Sequence, residues 1–117
     1  MNCLLCPRRC GVDREAGQLG YCRERSALRL AFAGIHRGEE PPITGAGGSG
    51  TIFVSGCNLG CAICQNHQIS QLHIPQKTAD ISGKKIPPLG RAVTDTEFAR
   101  ICLALQERGA QNINIVT

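Results

Sequence analysis

The stretch TIFVSGCNLGCAIC, residues 51–64, joins a short apolar run to a loop that carries three cysteines. Residues 51–55 are rich in β-branched and aromatic side chains, which predicts a buried strand. Cys57, Cys61 and Cys64 follow on the loop after this strand, with no fourth cysteine nearby. Structural zinc sites and closed iron–sulfur clusters use four ligands, so three thiolates leave one coordination position open for chemistry.

A helix and a second strand are predicted toward the end of the chain. Thr94 and Glu97 fit a capping box at the helix start, and Gly109 fits its end. One helix face is apolar, made by Phe98, Ile101, Cys102 and Leu105. Residues 112–116, NINIV, predict the strand. Strand, helix and strand form a parallel βαβ unit, so the predicted fold class is α/β. Such sheets are covered on both faces, so we expect the N-terminal fragment of a larger α/β domain.

The remaining segments are predicted mostly as loops around one further strand. Residues 1–26 form a cysteine-rich module with turn signals, and residues 27–34 alternate as a strand does. Prolines and glycines predict no regular structure for the connector 36–50 and an exposed loop for residues 71–92. The glycines of GAGGSG, residues 45–50, precede a strand rather than open a helix, which argues against dinucleotide binding. Two parts are expected, 1–44 with the cysteine-rich module and connector, and 45–117.

Composition excludes several classes of function. The chain has 42% hydrophobic and 19% charged residues, as expected of a packed core rather than disorder. It has three Phe, one Tyr and no Trp, too few stacking platforms for single-stranded nucleic acid. No apolar run approaches the length of a membrane span. Eight cysteines without a secretory leader predict a cytoplasmic protein whose clustered thiols bind metal. We therefore expect no nucleic-acid or membrane partner.

The N-terminal module carries a second set of four thiols, Cys3, Cys6, Cys10 and Cys22. Four ligands in one small module suit a closed structural site for zinc or a second iron–sulfur cluster. Reduced thiols in ordinary loops are the alternative. Cys102, on the apolar helix face, is expected to be a buried and inert cysteine. His67 is either a surface residue or a neighbour of a metal bound at Cys57, Cys61 and Cys64.

The chain resembles the radical S-adenosylmethionine (SAM) enzymes. The motif C-x3-C-x2-C on the loop after the strand 51–55, which would be the first strand of the barrel, carries the resemblance. Its flanks in SGTIFVSGCNLGCAICQNHQIS, residues 49–70, are similar to the branch related to pyruvate formate-lyase activating enzyme. CLLCPRRCGVDR, GYCR, EEPPI and GAQNINIVT also resemble that branch. The resemblance covers nearly the whole chain outside the loop 71–92.

The resemblance implies a fold, a cofactor set and an activity. Residues 45–117 would begin a partial (βα) barrel, in which Cys57, Cys61 and Cys64 hold a 4Fe–4S cluster. The fourth iron would bind S-adenosylmethionine and cleave it reductively, giving a 5′-deoxyadenosyl radical that abstracts hydrogen. Ile63 and Asn66 would lie near the S-adenosylmethionine, although many relatives carry an aromatic residue where this chain has Ile63. Expected partners are a flavodoxin- or ferredoxin-type electron donor and a glycyl-radical protein substrate.

Two other classes remain open from the residues alone. One is an iron–sulfur electron-transfer protein whose cluster is closed by a distant fourth ligand. The other is a zinc-stabilised binding module that uses both cysteine groups, with His67 or a distant cysteine completing the site. Because most of a barrel would lie outside these residues, the isolated fragment is expected to be inactive.

Overall fold

The computed structural model describes residues 2–71 and 90–117. Its elements in chain order are β1 (Leu28–His36), α1 (Pro41–Thr44), β2 (Ser49–Val54), α2 (His67–Ser70), β3 (Arg91–Val93), α3 (Asp95–Glu107) and β4 (Ile113–Val116). In these residues, no helix is long and apolar enough to cross a membrane. The structure is therefore mixed α/β, with β1, β2, α3 and β4 at the positions predicted for three strands and a helix.

The four strands form one sheet in the order β3-β1-β2-β4. β2 and β4 pair in parallel, with Ile52 opposite Ile115, as the predicted βαβ unit requires. β1 is antiparallel to both of its neighbours. β1 thus places part of the predicted N-terminal region in the same sheet as β2. The start of a barrel and a boundary after residue 44 stay predictions.

α3 covers this sheet and supplies part of its core. Thr94 caps the helix, and both hydrogen bonds of the capping box with Glu97 are present, which confirms the predicted helix start. The helix contacts β1, β2 and β4. Among the described residues, the buried apolar ones come one each from β1, β2, β3 and α3, namely Leu30, Ile52, Val93 and Leu105. The core therefore lies between α3 and the sheet.

Two loop predictions were wrong in part. The connector 36–50 contains the helical turn α1, because prolines at the first helical positions need no amide hydrogen bond. Arg91 and Ala92, within the predicted loop 71–92, belong to β3 and pair with β1. So short a strand is set by its pairing partner rather than by a local pattern. Residues 72–89 of that loop lie outside the described residues.

The glycine-rich connector packs against the turn after α3. The Gly50 amide donates to the Asn112 carbonyl at 2.9 Å, and the Gln111 amide donates to the Gly48 carbonyl at 2.9 Å. A Cβ placed on Gly47 would lie 1.7 Å from the Gly109 carbonyl oxygen. Two backbones therefore meet where a side chain would not fit, which accounts for glycine at position 47 without any bound nucleotide.

Candidate metal centre

The predicted three-cysteine loop leaves the sheet at the C-terminal end of β2. This segment, residues 56–66, is called the cluster loop below. Cys57 and Cys64 are half-buried and Cys61 is exposed, and all three are free thiols. The loop starts beside the end of the parallel neighbour β4, where the Thr117 hydroxyl donates to the Gly56 carbonyl. Ligands of α/β proteins bind at this end of the strands.

Hydrogen bonds within the loop and from α2 fix the three cysteines. The Leu59 amide donates to Cys57 Sγ at 3.4 Å, and the Cys64 amide donates to the Cys61 carbonyl at 3.2 Å. Cys64 Sγ lies 3.2 Å from the hydroxyl of Ser70, which is buried. The buried Gln71 side chain donates to the Cys61 carbonyl. Each cysteine is thus tied to the loop or to α2 through its sulfur or its backbone.

Ser70 and Gln71 were not predicted as site residues. They follow the triad along the chain, but no motif spacing distinguishes them from other polar residues after a turn. Their role becomes visible only when α2 folds back, with the Gly56 amide donating to the Ile69 carbonyl at 2.6 Å. This contact brings the end of α2 against the start of the cluster loop.

The other residues predicted near the cofactor also lie on this loop or next to it. Ile63 is 92% exposed, so it presents an apolar side chain to solvent beside Cys64. Asn66 is the N-cap residue of α2, and its side chain donates to the Thr117 carbonyl at 3.4 Å. His67 is the first residue of α2 and is exposed. The structure places them at the site, and their contact with a cofactor stays a prediction.

The N-terminal module contacts the cluster loop from the other side. Arg8 donates from its guanidinium to the carbonyls of Asn58 and Leu59, at 2.8 and 3.0 Å. The Tyr21 hydroxyl lies 3.5 Å from the same Leu59 carbonyl. Neither residue was predicted to belong to the site, because both lie far from the loop in sequence and no local pattern indicates the contact. The two cysteine groups are therefore structurally linked.

Three of the four N-terminal thiols accept hydrogen bonds from Arg14 or from the Tyr21 amide. Arg14 donates to Cys3 Sγ at 2.9 Å and to Cys22 Sγ at 3.2 Å. The Tyr21 amide donates to Cys10 Sγ at 3.3 Å. Hydrogen bonds, first from the Leu5 backbone and then from Arg14, hold the pKa of Cys3 below its ordinary value. Arg14 thus joins two of the thiols, and a metal at the four stays a prediction.

The pKa of Cys6 is also lowered. The backbone amide of Arg8 is the main cause, followed by the Asn58 side chain. Asn58 lies between Cys57 and Cys61, so this contact also ties the module to the cluster loop. Cys102, which was predicted to be buried and inert, is only half-buried on α3, where it packs against the apolar core, and its inertness stays a prediction.

The cluster loop offers three thiols, and thiolates are the usual ligands of iron–sulfur clusters. Among residues 2–71 and 90–117, no three His, Cys, Asp or Glu side chains are grouped so that they could hold one metal ion. In a cubane cluster each cysteine binds a different iron, so the three sulfurs lie farther apart than around one ion. Two of the three sulfurs also have a neighbouring amide or hydroxyl group that can donate to a thiolate bound to such a cluster.

Comparisons with known proteins agree with this donor chemistry. The model of a family described as "4Fe-4S single cluster domain" matches residues 43–116. An uncharacterized protein of Methanocaldococcus jannaschii is 42% identical over 73 residues. The match covers 62% of this chain but only 20% of that relative, so the chain spans about a fifth of its length. No solved structure matches the chain significantly. The chain belongs to the 4Fe-4S single cluster domain family and is an iron–sulfur protein.

Proposed function

We propose that Cys57, Cys61 and Cys64 hold a 4Fe–4S cluster with one open iron, in the N-terminal part of a radical S-adenosylmethionine enzyme. The observation that carries this proposal is the position of the triad. It lies within the family match and on the loop that leaves the parallel strand β2. Three thiolates can bind three of the four irons and leave the last for an exchangeable ligand.

The proposal of an open iron takes no fourth ligand from the other cysteines. The N-terminal set, Cys3, Cys6, Cys10 and Cys22, precedes the matched residues 43–116. Cys102 falls within the match, but it packs against the apolar core beneath α3. In the described part of the chain, the cluster loop therefore offers three thiols to one cluster.

Residues of this chain would stabilise and orient the thiolates. The Leu59 amide at Cys57 and the Ser70 hydroxyl at Cys64 can each donate to a negatively charged sulfur. Cys61 is exposed, so solvent and small molecules can reach the loop at this cysteine. Next to Cys64, Ile63 offers an apolar surface to such a ligand, and Asn66 lies at the start of α2.

The resemblance to radical S-adenosylmethionine enzymes supplies the rest of the proposal. When bound, the cluster and S-adenosylmethionine would supply reductive cleavage to methionine and a hydrogen-abstracting 5′-deoxyadenosyl radical. An electron donor of the flavodoxin or ferredoxin type, and a glycyl-radical protein as the substrate, are the partners proposed for the longer enzyme. The chain spans about a fifth of the relative that it matches, so hydrogen abstraction is proposed for the longer enzyme.

The test is anaerobic reconstitution of the chain, with iron, sulfide and zinc counted. Electron paramagnetic resonance (EPR) spectra of the reduced sample are recorded with and without S-adenosylmethionine. We expect a cubane signal that changes when S-adenosylmethionine is added. A cubane signal indifferent to it would contradict the open iron and favour electron transfer. Zinc without sulfide would contradict the cluster and favour a metal-folded binding module.

A further inference from the structure

We propose that Arg8 is a positioning residue for the cluster loop, which orients the Leu59 amide toward the Cys57 sulfur and thereby raises the cluster's reduction potential. This inference rests on the proposed cluster at Cys57, Cys61 and Cys64. It assigns a role to the N-terminal module that does not depend on whether that module binds a metal.

The contact between Arg8 and the loop is bidentate. Arg8 Nε donates to the Asn58 carbonyl at 2.8 Å, and Arg8 Nη2 donates to the Leu59 carbonyl at 3.0 Å. These two carbonyls belong to consecutive residues between Cys57 and Cys61. A planar guanidinium that binds two neighbouring carbonyls restricts the rotation of both peptide units.

The first of these peptide units also donates to a cysteine. The Asn58 carbonyl and the Leu59 amide belong to one peptide unit, whose C=O and N–H point in opposite directions because the bond is planar and trans. At one end the carbonyl accepts from Arg8, and at the other end the amide donates to Cys57 Sγ at 3.4 Å. Arg8 and the Cys57 sulfur are thus joined through a single peptide unit.

Tyr21 holds the guanidinium in place. The Arg8 Cζ atom lies 3.8 Å from the centre of the Tyr21 ring, a cation–π contact. The Tyr21 hydroxyl also reaches the Leu59 carbonyl, at 3.5 Å. The Asn58 side chain in turn hydrogen-bonds the Cys6 thiol. The loop is therefore held by the module through several contacts on residues 58 and 59.

These contacts determine the direction of the effect on a bound cluster. Reduction adds one negative charge, and hydrogen bonds to the ligand sulfurs stabilise that charge. An arginine on the carbonyl polarises the peptide unit, which strengthens the amide donor at its other end. Arg8 should therefore favour the reduced cluster and raise its reduction potential.

The experiment is an EPR-monitored redox titration of the reconstituted chain and of three variants. Arg8→Gln removes the guanidinium. Arg9→Gln is the matched control, because it removes the same charge from the next residue, which is exposed. Arg8→Lys keeps the charge but cannot bind two carbonyls with one planar group. The rate of cluster loss to a chelator is measured in parallel.

We expect Arg8→Gln to lower the ratio of reduced to oxidised cluster about tenfold at a fixed potential, because loss of a group that orients a ligand typically has an effect of this size. For a one-electron couple, this corresponds to a reduction potential lower by about 59 mV. The reduction potential of Arg9→Gln should equal that of the wild type, and the reduction potential of Arg8→Lys should be lowered toward that of Arg8→Gln. If Arg8→Gln fails to fold, the reduction potential of Arg8→Lys tests the proposal instead. An unchanged potential in either Arg8 variant, or an equal shift in Arg9→Gln, would overturn the proposal.

Failure of the two proposals can be told apart. If the wild-type chain takes up no cluster, the proposed function fails at its first step. If the wild-type chain takes up a cluster and Arg8 variants share its potential, only the role of Arg8 fails. A faster loss of cluster without a change in potential would show a purely structural contact and would also overturn the role proposed for Arg8.

Discussion

Gly56 is where the buried strand β2 turns into the cluster loop. Its φ is +76°, a backbone conformation that residues with a Cβ seldom adopt. A Cβ at this position would lie 2.5 Å from Glu24 Cγ and 2.8 Å from the Cys22 carbonyl oxygen. Glycine therefore allows both the turn and the close approach of the N-terminal module.

Replacing Gly56 with alanine should destabilise the protein more than the backbone conformation alone explains. Gly11→Ala is the matched control, because Gly11 has a φ of +66° and no atom within 4 Å of an added Cβ. We expect Gly11→Ala to cost about 1–2 kcal/mol. Gly56→Ala should cost about 1–3 kcal/mol more through overpacking. Urea denaturation of both variants measures the difference, and equal losses would contradict the tight packing at Gly56.

Among the cysteines, position rather than residue type decides the role. Cys61→Ser should lower bound iron and sulfide by about tenfold or more, because even outer partners of a metal are worth about 10–100-fold in affinity. Cys102→Ser is the control, since Cys102 packs against the core away from the cluster loop. Iron and sulfide analysis after reconstitution measures both. Retention of the full cluster by Cys61→Ser would exclude Cys61 as a ligand.

At the scale of elements, α3 and β3 represent two ways in which secondary structure is specified. The capping box of α3 is local: the Glu97 amide donates to Thr94 Oγ1 at 3.2 Å, and the Thr94 amide donates to Glu97 Oε2 at 2.8 Å. Residues three apart in sequence are enough to encode it. β3 has three residues and pairs with β1, more than 60 positions earlier. No local pattern encodes that pairing.

The capping box predicts a pH-dependent stability of α3. Hydrogen bonds with Thr94, its backbone amide first, hold the pKa of Glu97 below its ordinary value of 4.5, and Arg91 adds to the effect. Because the folded pKa is depressed, Glu97 stabilises the fold above pH 4.5, and this contribution is lost as the pH falls through the folded pKa.

Glu97→Gln should therefore destabilise the protein at neutral pH, and the difference from the wild type should shrink in acid. Denaturant titrations at neutral pH and at about pH 3, which lies below the usual pKa range of carboxyl groups, measure this difference in unfolding free energy. Glu107→Gln removes the same charge from the last turn, where a carboxylate opposes the helix dipole, so it should not destabilise. A pH-independent effect of Glu97→Gln would contradict the charged capping contact.

In the part of the molecule that the structure describes, the buried apolar residues form one small core that joins four elements. Leu30, Ile52, Val93 and Leu105 belong to four different elements, three strands and one helix. Ile52 is 0% exposed, whereas its partner in the parallel pair, Ile115, is 58% exposed. The sheet is therefore well covered at its centre and open along β4.

Ile52→Ala should cost about 2–5 kcal/mol of unfolding free energy, because it leaves a cavity where the helix and the sheet meet. Ile115→Ala removes the same atoms from the exposed edge and should cost about 0.5 kcal/mol. Urea denaturation of both variants tests this contrast. Similar losses in the two variants would show that β4 is as buried as β2 in solution.

The amino-acid sequence by itself determined the features that depend on neighbouring residues. These are the triad and its spacing, the capped helix α3, the strands β1, β2 and β4, and the parallel βαβ arrangement. Periodicity and ligand spacing act over a few residues, so they can be recognised without coordinates. The tertiary structure alone decided that Arg8 and Ser70 reach the cluster loop, that β3 joins the sheet and that Arg14 links Cys3 with Cys22. Such contacts join residues up to 65 positions apart or depend on the path of a turn, and only the folded chain brings those atoms close together.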